Sequence, residues 1–253
     1  MAKQCMHRIV LSLALTVTLS AAAPGESPPA FTMGHDGPMT LVSPLFGWNR
    51  NELIVRGRGG ETVQTDTAPQ TGLFTLFAQP RLVVNNFLFY TDPNQTDVWG
   101  NLLFVNGHGP ETARLTWNLG AGHLYHKIES DRTDIEVSVP MLKAGGLWRF
   151  GGQRLSLNPY LSYAWESVET DFSDEEDESL LYGLTFRAHW RMLHGTLKYY
   201  YQDVLDGGGH YHVFRARAYG FLDRNWALAA RFEYMEHSTS TDTSFLFGPA
   251  YMF

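Results

Sequence analysis

The chain has 253 residues, a formal net charge of −7 and a single cysteine, Cys5. Acidity argues against nucleic acid as a partner, and one thiol provides neither a disulfide framework nor a thiolate metal site. With 44% hydrophobic and 14% aromatic residues, a secreted β domain and a membrane β-barrel both fit, because a barrel dilutes its lipid-facing residues with alternate lumen positions.

At the amino end, "MAKQCMHR" carries Lys3 and Arg8 and precedes the apolar run "IVLSLALTVTLSAAA". A basic start, a short apolar core and a small-residue end describe a secretory signal peptide over residues 1–22. Cleavage after Ala22 would remove Cys5 and two basic residues, taking the charge to −9. No later stretch reaches the roughly 20 apolar residues of a membrane-spanning helix. Residues 23–50 are rich in Pro and Gly. Fully extended they reach about 90 Å, enough to cross a barrel. They read either as a lumen plug or as a periplasmic tail.

From residue 51 onward a period of two dominates, the signature of half-buried strands. Strands are expected at 51–58, 72–78, 82–91 and 98–107, although "LVVNNFLFY" is apolar on both faces. In "ARLTWNLGAGHLYHK", Leu115, Trp117, Leu119, Ala121 and Tyr125 oppose Arg114, Thr116, Asn118, Gly120, Gly122 and His126. In "IEVSVPMLKAGGLWRF" the apolar phase slips between Val139 and Leu142, which predicts a bulge at Pro140. "LSLNPYLSYAWE", "LLYGLTFRAHWRM" and "NWALAARFEYM" alternate cleanly, with Trp and Tyr toward the ends of the apolar face. The last strand, "SFLFGPAYMF", places Phe245, Phe247, Pro249, Tyr251 and Phe253 outward and Leu246, Gly248, Ala250 and Met252 inward.

Short connections at 79–81, 107–111, 151–154, 193–195 and 222–225 alternate with polar ones at 59–69, 91–97, 129–133, 169–178, 206–209 and 237–242. Strands of about 10 residues, aromatic ends and alternating turn lengths together predict an all-β, antiparallel transmembrane β-barrel of twelve strands over 51–253. The acidic "DFSDEEDE" lacks the spacing of a calcium loop and reads as a solvated loop.

The end of the chain resembles the assembly signal of Gram-negative outer-membrane barrels, with Gly248, Tyr251 and Phe253 matching and Leu246 standing where a polar residue is usual. With the strand count, it is similar to the solitary, passenger-less autotransporter-type barrels. The resemblance implies a place in the outer membrane among its lipids, assembly by the barrel-assembly machinery, and no catalytic residue or cofactor.

In this register Arg56, Arg58, Arg114, Arg187, Arg191, Lys198, Arg215, Arg217 and Arg231 face the lumen, with Glu136, Glu166 and Glu233 as counter-charges. A ring of Arg can select anions, and the same residues can instead fill a narrow bore with ion pairs. A structural or interaction role with a filled lumen is therefore set against a small anion-favouring channel. A third reading, a rim hydrolase, rests on His210 and His212 near Asp206, Glu236, His237, Ser238, Ser240 and Asp242, without any hydrolase motif.

Overall fold

The computed structural model describes residues 38–253 except 58–59, 94–95, 111–112, 131–133, 152–153, 191 and 206–208, and no side chains over 55–61. Residues 1–22, where a signal peptide is expected, and residues 23–37 of the Pro/Gly-rich segment lie outside the described residues.

The described elements are β1 (Met39–Gly57), β2 (Gly60–Gln79), β3 (Leu82–Thr91), β4 (Asp97–His108), β5 (Leu115–Glu129), β6 (Asp134–Phe150), β7 (Leu155–Thr170), β8 (Asp174–Trp190), β9 (Leu193–Val204), β10 (His210–Phe221), β11 (Trp226–His237) and β12 (Ser240–Met252). Each pairs antiparallel with its sequence neighbours, and β1 pairs with β12 to close the barrel. Following partners from Leu53 through all twelve strands returns to β1 at Met39, fourteen residues away. That stagger tilts the strands by about 40°.

The outward face is largely apolar between two aromatic belts. Trp117, Trp148, Trp190 and Trp226 mark the end with the short turns, while Trp99, Tyr90 and Trp165 mark the other; all are exposed. The inward face is packed: Phe74, Phe87, Phe89, Phe104, Leu124 and Val139 belong to one buried cluster. Rings lie flat on glycines of neighbouring strands. A Cβ on Gly122 would stand 2.1 Å from the ring of Phe104, and one on Gly183 2.0 Å from that of Tyr160.

Several boundaries differ from expectation. β1 starts at Met39, so residues 39–50 form barrel wall and not plug. Its inward Leu41 and Leu45 are as apolar as its outward Val42 and Phe46, which hides the alternation. Residues 60–69 continue β2, and the acidic stretch from Asp174 opens β8. Beyond the outer belt both faces meet water, so the polarity signal ends while the ladder continues. Leu193 already belongs to β9, so residues 193–195 are strand and not turn.

No bulge forms at Pro140. The β5–β6 register runs without a break, and β6–β7 keeps one register on either side of the proline, with partners absent at residues 139–140. Proline removes a donor there without adding a residue. The phase slip instead reflects Val137, Val139 and Met141, which are apolar and point into the packed lumen.

Candidate functional site

The mid-lumen is built by three adjacent strands. Register sets Arg215 of β10 opposite both Glu233 of β11 and Lys198 of β9. Arg215 Nε donates to Glu233 Oε2 at 2.6 Å, and Arg231 Nη2 donates to the same oxygen at 2.8 Å. All three side chains are buried. Two guanidinium groups on one carboxylate leave a positive excess, which aromatic faces absorb. The Arg217 guanidinium lies 4.0 Å from the ring centroid of Phe74 on β2, and that of Arg231 4.2 Å from Phe87 on β3. These contacts reach across the bore, since four strand-to-strand steps separate each pair. Lys143 sits 4.4 Å over the Tyr160 ring, which Lys198 also approaches at 5.3 Å. Desolvated cation–π contacts of this kind contribute about 2 kcal/mol each.

The structure thus brings together Arg215, Arg217, Arg231, Lys198 and Glu233. Arg187 is also buried and inward, one strand further along on β8. Glu166 is buried opposite Asp177, toward the other end of the lumen. Two expected members lie elsewhere. Arg114 is exposed in the turn before β5, and Glu136 sits on the outward face of β6 beside Lys127, 3.9 Å away. The Glu136 placement follows from the uninterrupted register at Pro140. Arg58 and Arg191, and the side chain of Arg56, fall outside the described residues.

Sequence reasoning missed Lys143, because the apparent phase slip obscured which face it occupies. It also missed the aromatic partners Phe74, Phe87 and Tyr160, and the buried amide Asn106, whereas Asn118 and Asn158 are buried on the face that alternation assigned them. The Asn158 Nδ2 donates to Gly146 O at 2.6 Å, at the break in the ladder beside Pro159.

The rim residues do not converge. His210 and His212 project outward, where the Tyr199 hydroxyl bonds His212 Nδ1 at 2.8 Å. His237 stacks inward on Tyr211, and Ser240 and Asp242 are buried in the lumen, with Asp242 accepting from Asn49 at 2.9 Å. Asp206 lies outside the described residues. Among the described residues no three His, Cys, Asp or Glu side chains gather in a way that could hold a metal ion.

The carboxyl end is tied down on both sides. Phe253 N donates to Thr40 O, and Asn225 Nδ2 donates to Met252 O, each at 2.8 Å. Tyr251 meets Trp226 and Phe253 edge-on, at 4.8 and 4.7 Å. A Cβ on Gly248 would lie 2.0 Å from Pro44 O across the seam.

The fold is that of a closed, twelve-stranded antiparallel β-barrel. It is similar to the translocator domain of the autotransporter NalP from Neisseria meningitidis, at 13% identity and a TM-score of 0.53, covering 99% of this chain and 97% of that one. The transport unit of the autotransporter AIDA-I from Escherichia coli aligns with 13% identity and a TM-score of 0.48 over 95% and 97% of the two chains. An anion-selective porin from Comamonas acidovorans aligns with 9% identity and a TM-score of 0.38 over 85% and 99%. No protein-family model and no curated protein matches the chain.

Proposed function

We propose that the chain is an integral outer-membrane β-barrel of the passenger-less autotransporter type, with a structural or interaction role and a lumen closed by its own side chains. The observation that carries this reading is the layer in which Arg217 and Arg231 cross the bore onto Phe74 and Phe87 above the buried Arg215–Glu233 pair. Two exposed aromatic belts around an apolar wall support the membrane setting. In the same reading residues 1–22 direct export, and Gly248, Tyr251 and Phe253 are read by the assembly machinery. Residues 23–37 are not needed to block the bore.

Planar-bilayer recording of the full chain tests the proposal. The expected result is no stable conductance. A stable, anion-favouring conductance that falls with Arg187→Ala or Arg215→Ala would overturn it in favour of a small anion channel. Heat-modifiable gel mobility tests the barrel separately, and a chain that stays monomeric and soluble without detergent would refute the membrane setting.

A further inference from the structure

Two histidines meet inside the lumen at the end with the short turns. His189 of β8 and His194 of β9 are direct partners in the ladder, one pair before the turn. Both lie on the inward faces of their strands, His189 with Thr185 and Arg187, His194 with Lys198 and Tyr200. His194 is 5% exposed, and Phe221 meets its ring edge-on at 5.0 Å. His189 is only half-buried, so solvent reaches the pair. The two rings stand at 73° with centroids 4.9 Å apart, and their Nδ1 atoms face each other at 2.9 Å. Two N–H groups cannot face each other at that distance, so at least one Nδ1 presents a lone pair.

Imidazole nitrogens this close have the spacing of neighbouring ligands on one ion. Metal–nitrogen bonds of about 2.05 Å set at right angles place the two nitrogens about 2.9 Å apart, whereas a tetrahedral angle needs about 3.3 Å. Right-angled sites of nitrogen and oxygen ligands belong to Cu(II) and Ni(II), and Cu(II) binds the tighter of the two. We propose that His189 and His194 form a Cu(II) site at this end of the lumen, each ligating through Nδ1. The ring that now donates carries its proton on Nε2 instead, and rotation about Cβ–Cγ in each side chain turns both lone pairs toward the ion. Among the described residues no third His, Cys, Asp or Glu joins the pair, so water completes the coordination. Imidazole ligands, with Arg187 next along the inward face of β8, tell against Mg²⁺ and Ca²⁺, which take oxygen ligands and are held by charge. The inference does not depend on the membrane setting or on closure of the bore.

The test uses the full chain carrying Cys5→Ser in detergent micelles, with Cu(II) chloride as the probe. Titration is expected to load one Cu(II) per chain, with an electron paramagnetic resonance spectrum that shows hyperfine coupling to two imidazole nitrogens. His189→Ala, which removes the half-buried ring, should weaken binding at least about tenfold and leave one coupled nitrogen. His194→Ala should do the same where heat-modifiable mobility shows it folded, and His189→Ala decides alone where it does not. The double variant His210→Ala/His212→Ala, which removes the outward histidines of β10, should bind as the parent protein does. A parent protein that takes up no stoichiometric Cu(II), or binding that survives His189→Ala unchanged, would overturn the proposal. Loss of binding in the His210→Ala/His212→Ala variant would overturn it too, by moving the ion to the outward rim.

Discussion

At the scale of single residues the lumen is governed by Glu233. Its carboxylate is the counter-charge for Arg215 and Arg231, and all three are out of water. Removing one partner of such a group leaves buried charge uncompensated, which costs about 3–5 kcal/mol, whereas deleting a whole pair in favour of apolar groups can be neutral. Glu233→Gln is therefore expected to lower the urea midpoint of unfolding strongly. Arg231→Met should cost less, because the 2.6 Å Arg215–Glu233 bond survives. Equal losses in the two variants would show that the pair, and not the charge balance, matters. A second residue acts in one of the short turns. Asp223, in the turn between β10 and β11, accepts the backbone N–H groups of Trp226 and Asn225, each at 2.7 Å, and these hold its carboxyl below the usual carboxylate range. Its folded pKa is depressed, so its contribution is fully present above the unfolded value. That contribution disappears as pH falls through the folded value. Asp223→Ala should shift the unfolding midpoint at pH 7 and leave it unchanged in strong acid. A shift that persists in strong acid would sink the assignment.

At the scale of elements the seam is the distinctive joint. Pro44 and Pro249 stand opposite each other, and the β1–β12 ladder has no partners over 43–45 and 248–250. Neither proline can donate, and the Ser43 hydroxyl, bonded to Pro249 O at 2.9 Å, partly replaces the missing bonds. The strands nevertheless approach closely, since a Cβ on Gly47 would lie 1.8 Å from Phe245 O, a backbone atom that cannot swing away. Gly47→Ala is expected to cost at least about 2 kcal/mol and to reduce the folded, heat-modifiable band. Gly195→Ala, where a Cβ meets nothing within 4 Å, should fold normally. Comparable losses at both positions would refute the close-approach argument. Gly248 of the last strand was legible as a small inward residue, but Gly47, the close-approach glycine of β1, was not. The reason is general to this chain. Where the lumen is lined by small or charged residues, as along β5, β7, β8 and β11, period two is visible in the sequence. Where it is lined by Leu, Val and Phe, as along β1, β3 and the first half of β6, both faces are apolar and the pattern fades.

At the scale of the whole molecule, strand number and a fourteen-residue stagger set a bore narrow enough for side chains to meet across it. The inward cations of β8–β11 could be read from alternation alone. Their partners could not, because Phe74 and Phe87 lie on strands distant in sequence and four steps away around the wall, and no local pattern records a contact across a lumen. That geometry makes closure a testable property of two rings. Each Phe offers its face to a guanidinium, while Gly72 provides the flat seat for Phe87, whose ring carbon would lie 2.6 Å from a Cβ there. Truncating a buried Phe to Ala costs about 3–5 kcal/mol, so the double variant Phe74→Ala/Phe87→Ala must first be shown to retain heat-modifiable mobility. In a folded variant Arg217 and Arg231 lose the surfaces on which they rest, and water can enter around them. Single-channel recording should then show anion-favouring openings absent from the parent protein, because Arg215, Arg217, Arg231 and Lys198 gather around Glu233 in that layer. A folded double variant that stays silent would mean that the bore is closed elsewhere, most directly by the aromatic packing of Phe104 and Tyr160 against the glycines of neighbouring strands.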